Sequence, residues 1–257
     1  MKDYQLFLID LDGTIYRGKG TIEAGVRFVH RLEQAGKDYL FLTNNTTRTP
    51  EMVVDKLALH GVKTDTAHVY TPSMASVSYL LEHASGQLPI GVYLIGEIGL
   101  QQEFWQHTEF ELNNKNPDYV IVGMDRDLTY HKVQVAADAI RNGAVFIGTN
   151  ADLNLPSDEG LLPGNGSQCA MIAVSSGHEP LYIGKPSPII VKMALAKMHC
   201  QKEQAILVGD NYQTDIKAGF NSQVDQLLVT TGITQLADLQ GKRQPTFVVD
   251  SLDKFKL

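Results

Sequence analysis

Two aspartates, Asp10 and Asp12, follow the apolar run Leu6-Phe7-Leu8-Ile9 and precede Gly13 and Thr14. An unbroken apolar run in an otherwise ordinary chain reads as a strand buried on both faces. A carboxylate at the end of such a strand is costly unless it is paired or bound to a cation. Two positions apart, Asp10 and Asp12 leave the same face for as long as the strand persists. Two like charges that close call for a cation between them, or for one shared proton. The plainer alternative is a strand running into an Asp-Gly turn, in which Asp12 merely caps the turn.

Three more stretches carry chemistry of a matching kind. Thr43-Asn44-Asn45 ends a second apolar run, Lys185 precedes Pro186-Ser187-Pro188, and Gly209-Asp210 ends a third run with Asp215 five residues on. Each has a bland reading: a turn, an exposed lysine, a strand-end cap, an acid in the first turn of a helix. Together they have a chemical one. Carboxylate oxygens suit a hard, octahedral Mg²⁺ that keeps some waters and takes up a substrate phosphate. A threonine hydroxyl, backbone N–H groups and a lysine would bind the remaining phosphoryl oxygens, and a carboxylate beside the metal can attack phosphorus.

These residues need a scaffold that gathers strand ends, and the hydrophobic pattern predicts one. Thr21 to Gly36 reads as a helix, Tyr39 to Leu42 as a strand, and Thr49-Pro50-Glu51 as the start of a helix closed at Gly61. A short strand at Val69 and a helix from Ser73 to His83 follow, which is the rhythm of a parallel sheet with right-handed crossovers. Loop-like composition from Ser85 to Pro89 precedes a second series, with strands at Val92–Gly96, Tyr119–Gly123 and Val145–Thr149. Asn150 to Gly166 reads as a Gly- and Pro-rich connection. Strand-to-helix patterning resumes at Leu181, and Ala205–Asp210, Gln226–Thr231 and Thr246–Val249 read as the last strands. In open parallel sheets, ligands bind beyond the carboxyl ends of the strands, where these polar residues fall.

Composition narrows the partners. The 257 residues suffice for one large domain or two modest ones, and a formal net charge of −7 argues against nucleic acid or an anionic membrane. A phosphorylated small molecule is not excluded, because a local cation reverses the field within one pocket. Two cysteines, Cys169 and Cys200, suggest neither a disulfide framework nor a zinc site. With no secretory pattern and no apolar run long enough to span a membrane, the expectation is a cytoplasmic protein.

In order, spacing and strand-end placement the four motifs resemble those of the haloacid dehalogenase (HAD) superfamily of phosphatases. Asp10-Leu11-Asp12-Gly13-Thr14 matches its first motif, Thr43-Asn44 its second, Lys185-Pro186 its third, and Gly209-Asp210 through Asp215 its fourth. Leu42-Thr43-Asn44-Asn45, Gly184 to Pro188 and Gly209-Asp210-Asn211 are similar to the NagD-like, p-nitrophenylphosphatase-like branch, subfamily IIA with a C2-type cap. The resemblance covers essentially the whole chain. It implies a Rossmann-like α/β parallel-sheet core of residues 1–84 and 180–257, with an inserted α/β cap of residues 85–179. It implies Asp10 as nucleophile through an aspartyl-phosphate, Asp12 as acid and then base, and Lys185 as the charge that offsets the transferring phosphoryl. Mg²⁺ would be held by Asp10, the backbone carbonyl of Asp12, Asp210 and Asp215, the last directly or through water; Thr43 and Asn44 would hold phosphoryl oxygens.

The cap would exclude water and read the leaving group, with Asn150 and Asp152, and also Asp125 and Arg126, as candidate substrate readers. Loop building by Asn150 and Asp152 competes with that role. His107, His131 and His178 lack metal-ligand spacing. The expected activity is hydrolysis of small phosphomonoesters, such as sugar phosphates or nucleoside monophosphates. A phosphotransferase on the same chemistry and a metabolite-binding regulator are the alternatives, and a homodimer through the cap is the expected assembly.

Overall fold

The computed structural model describes residues 2–84, 88–157 and 160–257. The chain divides into two compact units, one of Met1–Thr43, Pro50–Tyr70 and Lys185–Leu257, the other of Asn44–Thr49 and Thr71–Gly184. The first unit opens with β1 (Leu6–Ile9), buried at all four residues as its unbroken apolar run requires. An antiparallel hairpin of β2 (Tyr16–Arg17) and β3 (Gly20–Thr21) follows, then α1 (Glu23–Gln34), β4 (Asp38–Leu42), α2 (Pro50–Leu59) and β5 (Val69–Tyr70). The second unit begins with α3 (Pro72–His83), where Thr71 accepts a capping bond from the Met74 N–H ahead of a helix-starting Pro72. It continues through β6 (Ile90–Ile95), α4 (Ile98–Trp105), β7 (Phe110–Leu112), β8 (Tyr119–Val122), α5 (Tyr130–Arg141) and β9 (Val145–Gly148). The hairpin β10 (Asn154–Ser157) and β11 (Gly160–Pro163), α6 (Asn165–Ser176) and β12 (Leu181–Tyr182) complete it. The chain then returns to the first unit with α7 (Pro188–Lys197), β13 (Ala205–Gly209), α8 (Lys217–Ser222), β14 (Asp225–Val229) and β15 (Phe247–Val249).

Each unit is built on one parallel sheet, so the α/β class expected from the sequence holds. The first sheet has the order β15-β14-β13-β1-β4-β5 and the second β12-β9-β8-β6-β7. In the first, the chain leaves β1 toward β4 on one side and returns through β13 on the other. The β1/β13 boundary is therefore a topological switch point, the place where such sheets open a crevice for a ligand. Phe7, Ile9, Phe28, Leu32, Phe41, Ile206 and Val208 form the buried core beneath it. The second unit has its own core, of Ile95, Val120, Val122, Ala136, Ile140 and Ile172 among others.

The structure departs from the sequence reading in several places. The expected core boundary at residues 84/85 falls instead at Tyr70/Thr71, because α3 packs against α4 of the second unit. Ser85, Gly86 and Gln87 of the loop expected at Ser85 to Pro89 lie outside the described residues. The strand before Lys185 belongs to the second sheet, where β12 pairs with β9, so the second unit extends to Gly184 and not to residue 179. Two hairpins and β7 were not expected. Their strands have two to four residues, too few for a period to show, and β10–β11 carries prolines at an open edge.

Candidate active site

Asp10 is the first residue past β1, and its main-chain N–H donates to Val208 of β13 at 2.8 Å, carrying the strand pairing one residue into the site. Lys185 Nζ donates to Asp10 Oδ1 at 2.6 Å, to the Leu42 carbonyl at the end of β4 at 2.7 Å, and to Asp215 Oδ1 at 2.7 Å. An ammonium whose protons all have acceptors can stay charged with a side chain only 2% exposed. Burial, the largest influence, opposes that charge, but Asp10 and Asp215 outweigh it and hold Lys185 above its ordinary range.

Asp210 stands at the end of β13, and Asp215 lies in a π-helical turn over Tyr212–Ile216. The Ile233 N–H donates to Asp210 Oδ2 at 2.6 Å, and the Asn211 N–H to Asp215 Oδ2 at 3.0 Å. One oxygen from each of Asp10, Asp210 and Asp215 lies within 4.8 Å of the others, the one such group of acids, histidines or cysteines among the described residues. Burial pushes the Asp10 carboxyl well above the usual range; Lys185 pulls it down, and Asp215 and Asp210 push it further up. Burial and then Asp215 raise Asp210 to about 7, against the Ile233 N–H and Lys185.

Small residues make room for this cluster. Gly13 has φ of +90°, and a Cβ there would stand 2.3 Å from Asp210 Oδ2. A Cβ on Gly232 would come within 1.7 Å of the same oxygen. An all-oxygen set of three close, buried carboxylates facing one ammonium leaves uncompensated negative charge, and a hard divalent cation of the Mg²⁺ type fits it.

The other predicted residues are placed differently. β1 ends at Ile9, so Asp10 and Asp12 do not share a face: the Asp12 side chain is 62% exposed and has Lys56 Nζ at 3.8 Å. Its carboxylate is not in the acidic group, which leaves the backbone carbonyl as the atom expected to face a cation. Thr43 is buried just past β4, its N–H directed at the Tyr70 carbonyl at 3.4 Å. Asn44, Asn150 and Asp152 fall in the second unit and bind one another. Asn44 Nδ2 donates to Asp152 Oδ2 at 3.1 Å, Asn150 Nδ2 to the Asn44 carbonyl at 2.8 Å, and the Asp152 N–H to Asn150 Oδ1 at 3.1 Å. Asp125 accepts from Lys132 Nζ, in the first turn of α5, at 2.7 Å, and Arg126 pairs at 2.6 Å with Glu97, at the start of α4, so each is engaged inside the second unit.

Two contributors escaped the sequence. Buried Asn165 donates to the Val122, Thr149 and Asn150 oxygens and fixes the loop that carries Asn150. The turn of Gly232 and Ile233 supplies a main-chain donor to Asp210, which only the run Thr-Thr-Gly after a strand could have hinted at.

Comparisons with known proteins agree with this geometry. Residues 7–108 match the family described as haloacid dehalogenase-like hydrolase, and residues 182–255 a second model described as HAD-hydrolase-like. The chain is 43% identical over 256 residues to the 5'-nucleotidase YutF of Bacillus subtilis, covering 99% of this chain and 98% of that protein. It is 40% identical over 245 residues to an acid sugar phosphatase of Staphylococcus aureus, covering 95% and 93%. Among solved structures, a double mutant of the thermostable NPPase of Geobacillus stearothermophilus superposes with a TM-score of 0.92 at 43% identity, over 100% of this chain and 99% of that one. NagD of Escherichia coli K-12 does so with 0.92 at 31% identity, over 99% of each chain. The chain belongs to the haloacid dehalogenase-like hydrolases, as a phosphatase of the NagD-like, p-nitrophenylphosphatase-like branch, subfamily IIA.

Proposed function

We propose that this phosphatase is a Mg²⁺-dependent hydrolase of small phosphomonoesters that works through an aspartyl-phosphate on Asp10. The observation that carries the reading is the meeting of Asp10, Asp210 and Asp215 around Lys185 at the carboxyl ends of β1 and β13. Asp10, Asp210 and Asp215, with the Asp12 carbonyl, would hold the cation. When bound, Mg²⁺ neutralises phosphoryl oxygens and keeps the Asp10 carboxylate ionised.

An Asp10 oxygen attacks phosphorus, and the bond from phosphorus to the ester oxygen breaks. The Asp12 carboxyl gives its proton to that oxygen, so the alcohol leaves neutral. Water then attacks the phosphorus, its proton passing to Asp12, and inorganic phosphate departs as the Asp10 carboxylate is restored. Lys185 offsets charge on the transferring group throughout. Thr43 and Asn44 hold phosphoryl oxygens, and Asn150 and Asp152 act through Asn44, which both touch.

Sugar phosphates and nucleoside monophosphates are the substrate classes that fit, and relatives named acid sugar phosphatase and 5'-nucleotidase support both. A cytoplasmic location suits such metabolites, and no helix among the described residues is long and apolar enough to cross a membrane. The second unit leaves Val174 and Met171 of α6 exposed, the apolar surface a homodimer would cover; light scattering that finds only monomer removes that part.

Phosphate release from a panel of phosphorylated metabolites, with Mg²⁺ and with chelator, tests the function. Asp10→Asn is expected to fold and to lose turnover by ~10³-fold or more, as when a covalent nucleophile is removed. An Asp10→Asn variant that keeps more than about a tenth of the activity removes Asp10 from that role.

A further inference from the structure

Asp12 stands at the foot of the β2–β3 hairpin. It bridges to Tyr16, and the Gly13 N–H donates to the Tyr16 carbonyl at 2.7 Å. Tyr16 is 2% exposed, and its ring is gripped by Lys56 of α2 and by His60, four residues on and just past that helix's end. Lys56 Nζ lies 3.6 Å from the ring centroid, and His60 stacks on the ring with centroids 4.8 Å apart and planes at 23°. His60 Nδ1 is 2.8 Å from Oγ1 of Thr21, the residue paired with Tyr16 across the hairpin. The hairpin that follows Asp12 is thus clasped to α2, and the clasp fixes where the Lys56 ammonium stands.

That ammonium is 3.8 Å from Asp12 Oδ1, on a side chain only 19% exposed, whereas the Asp12 side chain is 62% exposed. A half-solvated pair at this distance adds little to stability. It does bias the rotamer of a carboxylate that otherwise turns freely in water, and small misplacements of a proton-transfer group are expensive in rate. We propose that Lys56 is a positioning residue for Asp12, holding its carboxylate toward the ester oxygen while Tyr16 and His60 hold Lys56. The inference rests on the acid–base reading of Asp12 given above.

Two substrates separate this role from a structural one. An alkyl phosphate such as glycerol phosphate needs its leaving oxygen protonated as the bond breaks. p-Nitrophenyl phosphate loses a stabilised anion and needs little help. Lys56→Met keeps an apolar stem over Tyr16 and removes the charge. It is expected to lower kcat/KM roughly tenfold on the alkyl ester and less than about threefold on the aryl ester, with Lys56→Arg recovering most of the loss. In an Asp12→Asn background, adding Lys56→Met should cost no more than about twofold further, because both act at one group. Equal losses on the two esters, no loss, or a full further loss beside Asp12→Asn overturns the proposal. Lys56→Gln serves as the charge-free variant should Lys56→Met not fold, as judged by circular dichroism. Asp12→Asn alone reads the parent mechanism: if it shows no bias against the alkyl ester, the acid–base role of Asp12 fails. A biased Asp12→Asn beside an unbiased Lys56→Met fails Lys56 alone.

Discussion

Asp210 is where a proton and a cation compete. Burial and then the Asp215 charge raise its carboxyl from 3.8 to about 7. The folded chain without a cation therefore holds this proton more tightly than the unfolded chain does. The stability so contributed is complete below pH 3.8 and is lost as pH rises through about 7. A divalent cation must displace that proton, so Mg²⁺ affinity is expected to fall by about tenfold per pH unit on descending below 7. Calorimetric titration at pH 5.5, 6.5 and 7.5 checks this, and a flat affinity would mean that Asp210 is not the titrating ligand. At this scale the sequence was most informative where a residue stands at the end of an apolar strand. Asp10 and Asp210 were legible for that reason, with Asp215 and Lys185 following from their motifs. Asp12 was less legible, because a shared face with Asp10 depended on the strand persisting; β1 ends at Ile9, and the Asp12 carboxylate stands exposed. Asn165 was invisible, since an amide that satisfies three carbonyl and hydroxyl oxygens looks in sequence like any helix-start asparagine.

The elements around the site are held as close as backbone permits. The loop after β14 brings Gly232 against the Asp210 carboxylate and supplies the Ile233 N–H that fixes it. Gly232→Ala forces that loop or Asp210 to move. It is expected to weaken Mg²⁺ binding at least ~10-fold while leaving the sheet intact, since one misplaced ligand commonly costs that much. Unchanged affinity by calorimetry would show that the loop shifts freely and that Asp210 does not depend on it. Longer elements were legible because four or more buried residues in a run, or a helix with a repeating apolar face, leave a period to read. The face of α1, with Val26, Phe28, Val29 and Leu32 buried, is a case. The β2–β3 hairpin was not legible, although it carries the contact between Tyr16 and Lys56, because two-residue strands are set by turn geometry and tertiary clasping. The strand assigned to the wrong sheet, β12, failed for a related reason: two residues say nothing about their partner.

For the molecule as a whole, the acidic group lies within one of the two units, as do Lys185 and Asp12. A cation bound there adds to the stability of that unit by mass action, by about 2.7 kcal/mol at a hundredfold excess over Kd. Scanning calorimetry is expected to show a component of unfolding that moves up by several degrees with Mg²⁺ and back with chelator. A profile indifferent to both would place the cation site elsewhere or remove it.

The same unit is discontinuous in sequence, and this shapes how it is made. β1 pairs with β4 from residue 38 onward, but its other neighbour begins at Ala205. On a ribosome the central strand therefore waits with one edge bare while β6 to β12 emerge and can close their own sheet. The nascent chain carries a finished insert and an unfinished catalytic half for much of its synthesis. Until the last quarter of the chain is read out, the half-built sheet is a surface for molecular chaperones to cover.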